Sequence, residues 1–234
     1  VVIPKGVTKM GAYAFKGCSS LETIELPEGL WYLGSGFINN TMVTSLTIPG
    51  TVTQIGCNNG IAYGIVNDGG ALEEVIFADG MTRIPDRICY SESSDRPNTS
   101  LKKIVIPESV TEIGSDAFRN CAGLESITFG KEIKTIGYDA FYNCRNLKSV
   151  KFQKNEKMVI DTDGKKKLYP VVIKASAFDS CSSLSEVVLT ENIKEIGESA
   201  FEYDASLKEV VIPKGVTKMG AYAFKGCSSL ETIE

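Results

Sequence analysis

Residues 101–123 read LKKIVIPESVTEIGSDAFRNCAG, and residues 124–146 read LESITFGKEIKTIGYDAFYNCRN. Laid over each other, they share Leu at the first position, Ile at the fourth, an Ile-Gly pair, an Ala-Phe pair and a Cys. A fixed period of about 23 residues is the mark of a solenoid, because each unit covers its apolar face only by stacking on the next.

One unit parses into local elements. Leu101, Ile104 and Ile106 alternate with Lys103 and Val105, which predicts a short strand with one face inward. Pro107 ends its pairing, having no N–H to donate. Val110 and Ile113 anchor a short extended piece. Ile113, Ala117, Phe118, Cys121 and Leu124 then fall on a helical stripe, with Ser115 or Asp116 as its cap, so about two turns of helix are expected.

The same pattern runs through the chain with lapses. Units start at Leu21, near Val43, and at Leu72, Leu101, Leu124, Leu147, Leu184 and Leu207, after a first unit at 1–20 that lacks its opening positions. Leu230 opens a further, truncated one. In the second unit Asn40 replaces the Cys and the helix reads one residue short; in the eighth, Asp204 stands in the Cys slot. Irregular segments fall at about 57–71, 89–100 and 153–170. The whole of 1–234 is thus expected to be one repeat domain. Residues 1–25 and 210–234 are identical, and both ends fall inside a unit. The chain therefore reads as a window on a longer array, with uncapped end faces that would associate end to end.

Composition removes several function classes. The 234 residues carry a formal charge of −4 with Lys and Arg scattered, so there is no basic footprint for nucleic acid. No apolar run reaches the ~18 residues of a membrane span. There is no histidine, which excludes His triads, His bases and His metal sites within the chain. No cofactor motif is found, and acidic residues form no catalytic pair. The glycine-rich stretch GIVNDGG at 64–70 reads as loop.

Of seven cysteines, Cys18, Cys121, Cys144, Cys181 and Cys227 share one slot. A ladder of small buried side chains explains them; disulfides between coils, such as Cys121 with Cys144, are the alternative, and zinc-type spacing is missing. Cys57 and Cys89 fall outside this slot and read as exposed thiols. Asp161, Asp163 and Gly164 faintly suggest a calcium loop, but ligand spacing and the closing Glu are absent, and a β-hairpin turning at Asp163-Gly164 explains the stretch. Asn39 and Asn98 lie in glycosylation sequons.

The pattern L-x-x-I-x-I-P-x-x-V-T-x-I-G-x-x-A-F-x-x-C, matched nearly position for position by 101–123 and 207–229, resembles the BspA-like leucine-rich repeats of bacterial and protist surface proteins. The resemblance implies a right-handed α/β superhelix with a concave parallel sheet and short convex helices. It implies a cell-surface or secreted protein, in some members an adhesin for host proteins. Better-known leucine-rich repeats carry a buried Asn ladder; here Ser109, Glu132 and Gly215 occupy that slot and Asn192 alone fits, so the ladder is expected to be absent.

The outward strand positions are then the candidate partner-binding face: Glu74, Ile76, Lys103, Val105, Ser126, Thr128, Ser149, Lys151, Glu186 and Val188. The row is mixed and free of aromatics, which suits a protein partner, such as a host matrix or surface protein, better than a glycan. Trp31 and Tyr32 occupy slots that are polar in the regular units, as a binding anchor or as a cover over the irregular third unit. The leading reading is a non-enzymatic protein-interaction or adhesion module. A structural stalk without its own ligand and a glycan-binding accessory module are the alternatives.

Overall fold

The computed structural model describes residues 1–234 except 57–63, 66–69, 92–93, 95–96, 161–163 and 165, and of Lys166 and Lys167 only the backbone. Among the described residues there are nineteen short strands, numbered in chain order, and seventeen of them build two walls of a stacked coil. The first wall comes from the L-x-x-I-x-I part of each unit: β3 (Ser45–Ile48), β5 (Glu74–Phe77) and β7 (Lys103–Val105); β9 (Ser126–Phe129), β11 (Ser149–Phe152) and β15 (Glu186–Val188); β17 (Glu209–Val210) and β19 (Thr232–Ile233). Each group is a separate parallel sheet. The second wall comes from the extended piece: β1 (Lys9–Met10), β2 (Tyr32–Leu33) and β4 (Gln54–Ile55) form one sheet. β6 (Arg83–Ile84), β8 (Glu112–Ile113), β10 (Thr135–Ile136), β14 (Val171–Ile173), β16 (Ile193–Ile196) and β18 (Lys218–Met219) form another. β12 (Met158–Ile160) and β13 (Lys166–Leu168) make an antiparallel hairpin inside the 153–170 segment. Asp161 and Asp163 of the suggested turn, like Cys57, lie outside the described residues.

The alternation read from the sequence fixes which side faces in. Leu46, Ile48, Val75, Phe77, Ile127, Phe129 and Val150 are buried while their neighbours point out. Every unit adds to one continuous interior. Its centre is a column of rings: Phe118 stacks on Phe141 at 5.2 Å, Phe178 on Phe201 at 5.2 Å, and Phe201 on Phe224 at 5.3 Å. Parallel stacks at this spacing add to the area each ring buries.

The third side overturns the helix expectation: among the described residues there is no helix, and the A-F-x-x-C stretch is a run of turns. The cause is local. Two residues per unit are left-handed, Asp116 (φ 54°) and Asn120 (φ 61°), Asp139 (φ 51°) and Asn143 (φ 59°), and likewise Ser176 and Ser180. Asn, Asp and Ser tolerate this conformation, and a helix does not survive it. The amides freed from a helix bond sideways to the next unit: Asp116 N–H to Tyr138 O at 2.8 Å, Phe118 to Ala140 at 2.8 Å, Asn120 to Tyr142 at 2.8 Å. The turn side is therefore a third inter-unit ladder. Asn side chains reinforce it, with the Asn143 amide donating to Asn120 Oδ1 at 2.7 Å and Asn120 to the Ser91 carbonyl at 2.7 Å.

Glycine is demanded where coils approach most closely. A Cβ built on Gly137 would lie 2.7 Å from the backbone of Gly114 in the preceding unit. The same position donates its N–H upstream: Gly34 to Met10, Gly56 to Leu33, Gly114 to Ile84, Gly137 to Ile113, Gly197 to Ile173 and Gly220 to Ile196. In the fourth unit that position is Pro85, which has no N–H. There the second wall breaks: among the described residues no ladder hydrogen bond joins β4 to β6, although β3 and β5 remain paired in the first wall.

Slot assignments also change. Asn40 is the left-handed residue (φ 55°), and Thr41 fills the cysteine slot, buried and donating to Ile38 O at 2.9 Å. Cys89 is not an exposed thiol; it is buried in the place of the ladder Phe, and its carbonyl accepts from the Cys121 thiol at 3.2 Å. Cys144, Cys181 and Cys227 donate to the Phe118, Phe141 and Phe201 carbonyls in the same way. Six described cysteines are free. Asn39 and Asn98 are buried, so neither sequon is accessible in the folded chain.

Candidate interaction surface

The outward first-wall residues split into two groups, because β7 and β9 belong to different sheets. On β5 and β7, Glu74 stands opposite Lys103 and Ile76 opposite Val105. On β9, β11 and β15, Ser126, Ser149 and Glu186 form one row and Thr128, Lys151 and Val188 the next. All ten point away from the interior.

Charges in both groups are paired across strands. Lys103 Nζ meets Glu74 Oε1 at 2.6 Å, and Ser45 Oγ donates to Glu74 Oε2 at 3.2 Å. Lys151 Nζ meets Glu186 Oε1 at 2.9 Å, and Ser149 Oγ donates to Glu186 Oε2 at 2.9 Å. The Lys103 hydrogen bond holds the Glu74 carboxyl below its ordinary range, as Lys151 and then Ser149 do for Glu186. Beside these pairs Val105 and Val188 are 37% and 42% exposed. The face thus alternates self-neutralised charge with branched aliphatic side chains, and it can make a broad contact without stranding a buried charge.

Trp31 and Tyr32 sit elsewhere. Tyr32 is in β2 of the second wall, half-buried, and its ring lies against Gly56 of the third unit. Trp31 packs edge-on to Tyr32 with ring centroids 5.8 Å apart, and Lys9 Nζ lies 4.6 Å from the Trp31 ring. The pair is not brought together with the first-wall residues.

The turn side carries a feature that a strand-face reading misses. Tyrosines flanking the Ala-Phe pair hold cations on their rings: Arg119 over Tyr142 at 4.2 Å, Lys16 over Tyr13 at 4.8 Å, and Lys225 near both Tyr203 and Tyr222 at 5.3 and 4.9 Å. Lys225 also meets Glu202 at 2.7 Å. The signal was present in the sequence as Tyr beside Ala-Phe in AYAF and AFYNC. Among the described residues no helix is long and apolar enough to cross a membrane.

A stack of parallel-strand coils with a period of about 23 residues and an aliphatic, phenylalanine and cysteine interior defines a leucine-rich repeat solenoid. The BspA-type leucine-rich repeat region, a family model of six copies, matches residues 1–94, 97–162 and 170–234, and the chain belongs to that family. No curated protein matches. Among solved structures it is similar to a leucine-rich cell surface protein of Faecalibacterium prausnitzii A2-165, at 23% identity over 99% of this chain and 71% of that one, TM-score 0.44. It is similar also to a leucine-rich repeat protein of Bacteroides ovatus, at 20% identity over 99% and 77%, TM-score 0.44. A leucine-rich repeat protein of T. pallidum gives 20% identity over 99% and 77%, TM-score 0.49.

Proposed function

We propose that the chain is a non-enzymatic, protein-binding module of a cell-surface or secreted protein, contacting its partner through the outward residues of the first wall. The observation that carries this is the pairing of Ile76 with Val105 beside the Glu74–Lys103 ion pair. Solvent-facing aliphatic side chains at the centre of a charge-satisfied rim are the anatomy of a protein contact. Family membership supports it, since leucine-rich repeats serve widely as protein-binding scaffolds. The surface location rests on the family and on the Faecalibacterium structure being that of a cell surface protein.

The test is binding to immobilised extracellular matrix proteins, comparing the chain with an Ile76→Ser/Val105→Ser variant. Lost binding at unchanged melting supports the reading. Equal binding by both removes this face from it. A second reading, a spacer that only projects other domains, is favoured by the ion pairs that satisfy this wall within itself, and it predicts no binding by either protein.

A further inference from the structure

We propose that the chain assembles head to tail with a second copy of itself by coil exchange: residues 210–234 of one copy take the place of residues 1–25 of the next and pack against its second unit. The two segments are identical, Val210 corresponding to Val1 and Glu234 to Glu25. Their settings differ. Residues 1–25 pack toward higher residue numbers, with β1 paired to β2 and the amides of Tyr13, Phe15 and Gly17 donating to the carbonyls of Ser35, Phe37 and Asn39 at 3.0, 2.8 and 2.8 Å. Residues 210–234 pack toward lower residue numbers, with β18 paired to β16 and Phe224 stacked on Phe201 at 5.3 Å. Between them the two segments display both neighbours of one and the same coil.

Three observations choose a second copy as the occupant. First, side chains covered in one setting are bare in the other: Met10 is 5% exposed and Met219 48%, Ile24 7% and Ile233 57%. The cover that fits this apolar face is therefore already in the structure, as the second unit. Second, the backbone shows the same contrast. β18 is the edge strand of its sheet, and the amides of Tyr222, Phe224 and Gly226, counterparts of Tyr13, Phe15 and Gly17, have no partner among the described residues. The Ser35, Phe37 and Asn39 carbonyls of another copy can accept them in place of its own. Tyr222 then lies over Gly36 as Tyr13 does, where an added Cβ would come within 2.6 Å of the ring. Third, residues 210–234 are held in shape from behind by β16, by the Phe201 ring and by the Lys225–Glu202 ion pair at 2.7 Å. Such a preorganised cover binds with less ordering left to do. Each contact formed with the second unit replaces the same contact broken, and the displaced 1–25 regains backbone freedom. Exchange of an identical element is a low-cost route to assembly, and because the two faces differ it builds open chains and not closed two-fold dimers.

The test is sedimentation of the full chain 1–234 as its concentration is raised from micromolar to millimolar. The weight-average mass is expected to climb past that of a dimer, and slowly, because the first coil must peel away before the exchange. Met219→Glu places a charge on the incoming face; it is expected to weaken association at least about tenfold while leaving the melting of this exposed position unchanged. Met10→Glu strikes the same side chain in its buried copy. It loosens only the coil to be displaced and is expected to strengthen association at least about tenfold. The double variant, Met10→Glu with Met219→Glu, is expected to return to monomer, which separates exchange from the stickiness of a partly unfolded first coil. A chain that stays monomeric throughout overturns the proposal. So does association that Met219→Glu does not weaken, that Met10→Glu leaves unchanged or weakens, or that survives in the double variant. The assembly is independent of the first-wall contact, since the Ile76→Ser/Val105→Ser variant alters neither exchanging face.

Discussion

Asn192 and Asn155 clasp each other across the inserted hairpin: the Asn192 amide donates to the Asn155 carbonyl at 2.8 Å, and its oxygen accepts from the Asn155 N–H at 3.2 Å. Asn192 also reaches the Tyr169 carbonyl at 3.0 Å, so one buried side chain holds both legs of the insertion. Asn192→Ala strands buried donors and acceptors, each costing about 1–3 kcal/mol. The melting temperature is expected to fall by several degrees, with faster proteolysis between 153 and 170, measurable by limited digestion.

Asp204 is fully buried in the cysteine slot, with Oδ1 accepting from the Cys181 N–H at 2.9 Å and Oδ2 without a hydrogen-bond partner among the described residues. Burial, with Cys181 and Asp179 nearby, pushes its carboxyl well above the ordinary carboxylate range. The folded chain therefore holds a proton that the unfolded chain releases near pH 4. That contribution to stability is complete below pH 4 and is lost as the pH rises toward the folded pKa. Asp204→Asn is expected to flatten the fall in stability above pH 4, read from urea midpoints across pH.

Gly137→Ala forces a Cβ into the backbone of Ile113 and Gly114, and the coils must separate. Overpacking of this kind costs about 1–3 kcal/mol, or roughly 2–4 °C of melting temperature per kcal/mol for a chain of this size. Gly6→Ala, with nothing within 4 Å of the added atom, is the control and is expected to be neutral.

Cys18 is exposed, while Cys89, Cys121, Cys144, Cys181 and Cys227 are buried. Burial pushes the Cys121 and Cys181 thiols well above their usual range and that of Cys227 to about 11. In a Cys57→Ser background, maleimide is expected to label Cys18 promptly, and the five buried thiols only after denaturant is added. Mass spectrometry of digests distinguishes them.

The period and the strand alternation were legible because each inward residue repeats at a fixed slot; Leu101, Ile104 and Ile113 are all buried as read. The turn side was not. Ala117, Phe118 and Cys121 have spacings shared by a helix and by a run of turns, and what separates the two is the conformation of Asp116 and Asn120, which spacing does not encode. The outward placement of Glu74 through Val188 followed from alternation alone. Their division into two groups did not, because strand pairing between β7 and β9 depends on how coils settle against each other. Pro85 in a glycine slot was the one visible sign of a broken wall.

The sideways amides of the turn side all point the same way. In the fifth unit the carbonyls of Ser115, Ala117 and Arg119 accept from the unit before, and the N–H groups of Asp116, Phe118 and Asn120 donate to the unit after. The turn side of each regular coil thus contributes three co-oriented peptide dipoles of about 3.5 D, as a helix does along its axis. The second wall runs the other way, its glycine-slot amides donating toward lower residue numbers, so the turn side and the wall carry opposed rows of peptide dipoles along the same stack.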